Sequence, residues 1–199
     1  MAQTETKTSK DAIETAAVEA PAEPKAPGRK RITKRKAVEA HVRSYFETLA
    51  ARDAAGAAGH YREDGVDDVV PVGVLRGRGE IEAYIREIFA ASPDAEVTVT
   101  RLVAGEREAA VEWRIAGTFD GAAFQGIEPT GRPFELRGVD MFEVEEGEIV
   151  RNTGYYDGAA FARQVGMLPP MDSGAERAMK NAFNAMTKVR RVIDERRGS

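Results

Sequence analysis

The chain has 199 residues, 42% of them hydrophobic, and a formal net charge of −4, which suits one domain of ordinary size with appendages and excludes a uniformly basic nucleic-acid binder. It has no cysteine, which excludes disulfides, thiol catalysis and cysteine–zinc sites, and its two histidines, His41 and His60, are too few and too isolated for a histidine metal cage. No apolar run is long enough to span a membrane and no signal-peptide core precedes the domain, so a soluble, cytoplasmic protein is expected.

Residues 1–28 are rich in Ala, Glu, Pro, Thr and Lys and hold no aromatic side chain. A segment so poor in large apolar groups cannot offset its ordering entropy, so disorder is expected. The basic cluster Arg29, Lys30, Arg31, Lys34, Arg35 and Lys36 closes this arm at residue 36. It is either a solvated linker entering a helix or an electrostatic contact for nucleic acid, an acidic lipid surface or an acidic partner.

From Ala37 the pattern turns helical, with Val38, Val42, Tyr45, Phe46 and Leu49 at three- and four-residue steps. Ala54 to Tyr61 reads as a short second helix and Val66 to Val74 as an extended edge segment. Glu80 to Ala91 is a third helix with the stripe Ile81, Tyr84, Ile85, Ile88 and Phe89, stopped by Ser92-Pro93.

Strand signals follow. Glu96 to Val103 sets Val97, Val99 and Arg101 against Thr98, Thr100 and Leu102. Ala109 to Phe119 puts Val111, Trp113, Ile115, Gly117 and Phe119 on one parity, with Glu112 and Arg114 on the other. Phe134 to Val144 alternates most strictly: Phe134, Leu136, Gly138, Asp140, Phe142 and Val144 share one face. Gly138 reads as a bend in this strand. Ile149 to Tyr156 is the last strand. Three helices followed by an antiparallel sheet of about four long strands plus the early edge segment predict an α+β fold, with helices on one face of a curved sheet.

Asp157 to Val165 is a short helix. After Pro170 a new helix starts at Ser173, which forms an S-x-x-E capping box with Glu176. Met179, Ala182, Phe183, Met186, Val189 and Ile193 make its stripe, and Lys180, Lys188, Arg190 and Arg191 lie opposite. This amphipathic helix over 171–199 needs a surface to cover it: its own domain, a second copy in a homodimer, or a partner protein.

Asp140 is a carboxylate at the centre of an otherwise apolar strand face. Burying an isolated charge is costly, so such a group is paired, protonated or put to use. Arg114 and Arg137 could pair with it across the sheet, but both have the opposite parity on their own strands.

The pieces FAASPDAEVTV, VEWRIAGTF, FQGIEPTGRPFELRGVDMFEVEEGEIV, YYD and FARQVGMLPP, in that order, resemble the SnoaL-like polyketide cyclase (ester cyclase) group of the NTF2-like superfamily over residues 37–170. The resemblance implies a cone: a strongly bent sheet closed on one side by helices, with a deep apolar pocket. Trp113, Phe119 and Asp140 would face it. It implies that Asp140 is the general acid/base of an intramolecular aldol ring closure, or of a related isomerisation or hydration, on an apolar carbonyl compound, without metal or organic cofactor. Tyr61, Asp68, Phe142, Asn152 and Tyr156 join Trp113 and Phe119 as candidate ligand contacts. Hydrogen-bond donors for an enolate could come from Trp113, Tyr61, Tyr155, Tyr156 or Asn152. The group usually carries a histidine near the end of the VEW strand, where this chain has Phe119. That departure, with the basic arm and the extra helix, also fits a non-catalytic ligand-binding or assembly module.

Overall fold

The computed structural model describes residues 29–197. The arm expected to be disordered over residues 1–28 lies outside the described residues, as do the side chains of Arg29, Lys30 and Arg31 in the basic cluster. In chain order the elements are α1 (Arg29–Ala50), α2 (Ala54–Gly59), β1 (Tyr61–Val69), β2 (Gly73–Arg76), α3 (Gly77–Ala91), β3 (Glu96–Ala104), β4 (Glu108–Phe119), β5 (Arg132–Glu145), β6 (Glu148–Tyr156), α4 (Gly158–Gln164) and α5 (Gly174–Arg197). Helices and a single curved sheet in this order form an α+β fold.

Several boundaries differ from expectation, two of them at the helices that open the chain. The helix α1 starts at Arg29 rather than Ala37, because Lys and Arg are good helix formers and no breaker interrupts the run after Gly28. The helix α2 ends at Gly59, so Tyr61 opens β1 instead of closing a helix. Its start is fixed by Asp53, whose carboxylate accepts the Gly56 N–H at 2.8 Å.

The strand order is β2-β1-β6-β5-β4-β3. The early extended segment is therefore two strands, and only β2 lies at the edge. The sheet is antiparallel except that β1 and β6 run parallel. The last strand enters between the first strand and β5, which no local pattern announces. In β3 the register shifts between Val99 and Arg101. This bulge turns Leu102 to the same side as Val97 and Val99 and leaves Arg101 exposed, reversing the expected parity of both. The strand β5 alternates between exposed and buried from Pro133 to Val144, as its sequence requires.

Two apolar clusters hold the helices to the concave face. One lies under α1–α3 and includes Val42, Tyr45, Phe46, Ile81, Val111, Phe142 and Ile149. The other lies at the α4 end and includes Phe119, Phe124, Phe134, Leu136 and Val165. Phe142 stands edge-on to Tyr45 and Phe46, with centroids 5.5 and 6.0 Å away. Its complete burial stabilises the fold by about 1.5–3 kcal/mol. Trp113 and Ile115 border both clusters.

Candidate active site

A cavity of about 160 Å³ lies at the junction of the two clusters, lined by side chains of α1, α3, α4 and the sheet. A single water occupies roughly 10–15 Å³ of such space, so a ring compound fits. Most of the wall is aliphatic or aromatic, including Leu49, Ile85, Ile88, Ile115, Phe119 and Phe134. The polar contributors include Asp67, Asp140, Asn152, Trp113 and Tyr45, together with Tyr84 and Tyr156.

Three adjacent strands bring the acids together. Asp67 on β1 is opposite Asn152 on β6, and Asp140 on β5 is opposite Gly154 on β6. Asn152 donates from Nδ2 to Asp67 Oδ1 at 3.0 Å. A Cβ at Gly154 would stand 2.9 Å from Asp140 Oδ1, so glycine there leaves the space that the carboxyl fills. Trp113 on β4 is paired with Gly138 on β5, and a Cβ at Gly138 would come within 2.3 Å of the indole ring. The absent side chain lets the indole lie across the strand and brings its N–H toward Asp140. Gly138 thus makes room for a ring, beyond any role as a bend.

Burial governs the ionisation. Asp140 is 8% exposed, and desolvation of its charged form pushes its pKa up to about 7. The Trp113 N–H and the Asn152 amide pull the other way, and the charge of Asp67 adds to the rise. Asp67 is 5% exposed and is pushed up to about 6 by burial, against the opposing donors Asn152 and Tyr61. Burial also raises the Tyr45 and Tyr61 hydroxyls, which stay neutral donors. No basic side chain pairs with Asp140 among the described residues; Arg114 instead bonds Glu135 at 2.7 Å on the other face.

Trp113 Nε1, Tyr61 Oη and Asn152 Oδ1 are buried with no hydrogen-bond partner among the described residues. The Trp113 N–H favours ionised Asp140 and the Tyr61 hydroxyl favours ionised Asp67, each without closing a bond of normal geometry. A buried donor in this state is costly unless a ligand completes it.

Of the residues singled out from sequence, Asp140, Trp113, Phe119, Asn152 and Tyr156 line the cavity. Tyr61 and Phe142 do not line it; they belong to the apolar cluster beneath, and Tyr61 acts on Asp67 from there. Asp68 is corrected outright. It points to the outer face and pairs with Arg151 at 3.0 Å, while its neighbour Asp67 faces in. Tyr155 is 51% exposed on the outer face and supplies no donor to the cavity. His41 and His60 pack on each other with ring centroids 4.9 Å apart, away from the cavity lining. Asp67, Tyr45 and Tyr84 were missed. In VDDVV both parities carry valine, so alternation alone does not say which aspartate faces in.

Among the described residues no three His, Asp or Glu are grouped to hold a metal, and no helix is long and apolar enough to cross a membrane.

This bent six-stranded sheet, backed by helices over an acid-bearing cavity, is the NTF2-like fold. The family model described as SnoaL-like polyketide cyclase matches residues 39–165, well over half of the chain, and the chain belongs to that family. Solved structures agree at the level of fold. AclR from Streptomyces galilaeus, a candidate hydroxylase, is 18% identical with a TM-score of 0.62, over 78% of this chain and 98% of its own. IdmH from Streptomyces antibioticus, a candidate polyketide cyclase, is 24% identical with a TM-score of 0.56, over 64% and 97%. A protein of ketosteroid isomerase-like fold from Catenulispora acidiphila, in complex with trimethylamine, is 17% identical with a TM-score of 0.56, over 65% and 97%. No curated protein sequence matches the chain.

Proposed function

We propose that this protein is an acid/base catalyst that moves a proton at carbon beside the carbonyl of an apolar, polyketide-like small molecule, with intramolecular aldol ring closure as its reaction and isomerisation or hydration as the nearest variants. The observation that carries the reading is Asp140, a buried carboxyl with a pKa of about 7 lining an apolar cavity, with an unpartnered indole N–H directed toward it. Between about pH 6 and 7 the Asp67–Asp140 pair holds close to one proton. Its ionised member takes the proton from carbon, and its protonated member delivers one to the oxygen that gathers charge. The Trp113 N–H is placed to stabilise that oxygen. Side chains alone suffice for these steps, and no metal or organic cofactor is called on.

Phe119 stands where the group's usual histidine is expected. It is fully buried, with its ring centroid 6.1 Å from that of Phe161. No proton carrier exists there, and Asp67 supplies the second titratable group from a different strand.

The test is hydrogen–deuterium exchange. Polycyclic ketones and steroids that raise the melting temperature are incubated with the protein in D₂O and followed by NMR and mass spectrometry. Asp140-dependent deuterium uptake beside the carbonyl, lost in Asp140→Asn, supports the catalyst. Tight binding with no uptake supports the second reading, a non-catalytic ligand-binding or assembly module, which the exposed stripe of α5 favours.

A further inference from the structure

The cavity holds acids and no base. Asp67 and Asp140 reach it from the two strands that flank β6. None of the side chains that line it is Lys, Arg or His, and among the described residues no cation offsets either carboxyl. An ionised carboxylate out of water needs an opposite charge beside it. A proton meets that need up to about pH 7. An organic cation would meet it above that pH as well.

The hydrogen-bond inventory is equally one-sided. Asn152 lines the cavity at 2% exposure; its Nδ2 is given to Asp67, and its Oδ1 has no partner among the described residues. The Asp140 oxygens and the second Asp67 oxygen are further acceptors. Against them the lining offers the Trp113 N–H and a few hydroxyls, and Tyr84 gives its own to Tyr156. A ligand that completes this set must bring donors, not acceptors alone. The wall suits a charged donor. Tyr45, Tyr84, Trp113 and Tyr156 all line the cavity, with the Trp113 and Tyr156 ring centroids 6.5 Å apart. Aromatic faces attract a cation, and more strongly where water is excluded.

We infer that the cavity takes a protonated amine: the substrate is an apolar carbonyl compound bearing a basic nitrogen, whose N–H engages Asp67 and Asn152 Oδ1 while the carbonyl lies by Asp140 and Trp113. The carbonyl half of this statement rests on the proposed acid/base reaction; the amine half does not. An ammonium held at Asp67 also puts positive charge beside the forming enolate, which eases removal of the proton from carbon.

Benzyldimethylamine and isobutylbenzene have the same shape and differ in charge, so they make the test. Their binding to the full chain is read from the emission of Trp113, the one tryptophan. At pH 8 the amine should bind at least about tenfold more tightly than the hydrocarbon. At pH 5 the amine is still protonated but both acids are largely neutral, so its advantage should fall about tenfold. The other titratable groups that act on the pair are Tyr45 from α1, Tyr84 from α3 and Tyr61 on β1, all neutral in this range, and Asp68 behind Asp67. The Asp67→Asn, Asp140→Asn double variant should still bind isobutylbenzene and show no preference for the amine. Equal binding of the two probes to wild type at pH 8 overturns the inference, and so does a preference that survives in the double variant. Deuterium exchange beside a ketone carbonyl keeps the two ideas apart. Exchange without amine preference removes the amine and leaves the acid/base reaction standing. Amine preference without exchange on any ketone supports the amine and removes the reaction.

Discussion

Asn152 donates its side-chain amide to Asp67 across a parallel strand pair, at 3.0 Å, from a position 85 residues further along the chain. The same amide favours the ionised form of Asp140. Asn152→Ala therefore removes a donor from both acids, and both pKa values should rise further. The acidic limb of the rate profile for deuterium exchange should move to higher pH. Loss of a buried hydrogen bond should cost about 1–3 kcal/mol in urea unfolding.

Asp67 and Asp68 separate a site role from a surface role. Asp67→Asn should abolish most exchange activity, because the pair then has one titrating member. Asp68→Asn breaks only a partly exposed ion pair with Arg151, so it should leave activity intact and cost less than about 1 kcal/mol. Steady-state rates and denaturation of the two variants check this.

Much of this arrangement was legible before the structure. The period-two run through Asp140 gave its face, and the parity of Trp113 and Phe119 put them on the same side. Asp67 was not legible, because its position depends on β6 entering beside β1 in parallel, a long-range pairing with no signature in VDDVV. Leu102 was misread for a related reason: one bulged residue in β3 reverses parity without any marker in the sequence. Exposure of the α5 stripe could not be read at all, since an amphipathic pattern says that a face wants cover but not what covers it.

The buried acid should be a stability liability. The pKa of Asp140 lies near 3.8 in the unfolded chain and about 7 in the folded one. The folded state therefore holds the proton more tightly, and stability falls as pH rises from about 4 to 7. The shift corresponds to roughly 4 kcal/mol at most. Asp140→Asn removes this penalty. It should be more stable than wild type at pH 8, with the difference shrinking toward pH 4, as read from urea midpoints at both values.

Two glycines are predicted to be irreplaceable for packing reasons. Gly154→Ala would press a methyl against the Asp140 carboxyl, and Gly138→Ala would press one into the Trp113 indole. Each should cost about 1–3 kcal/mol and lower exchange activity at least tenfold. Trp113 is the chain's one tryptophan, so its emission reports the cavity without labelling. Gly138→Ala should shift that emission, whereas Asp68→Asn should not.

Side-chain carboxyl NMR of the wild-type protein, with Asp140→Asn for assignment, tests the central claim most directly and needs no substrate. The Asp140 Cγ resonance is expected to titrate with a midpoint near 7. A midpoint near 4 would mean an ordinary solvated carboxylate, and would contradict the proposed acid/base role.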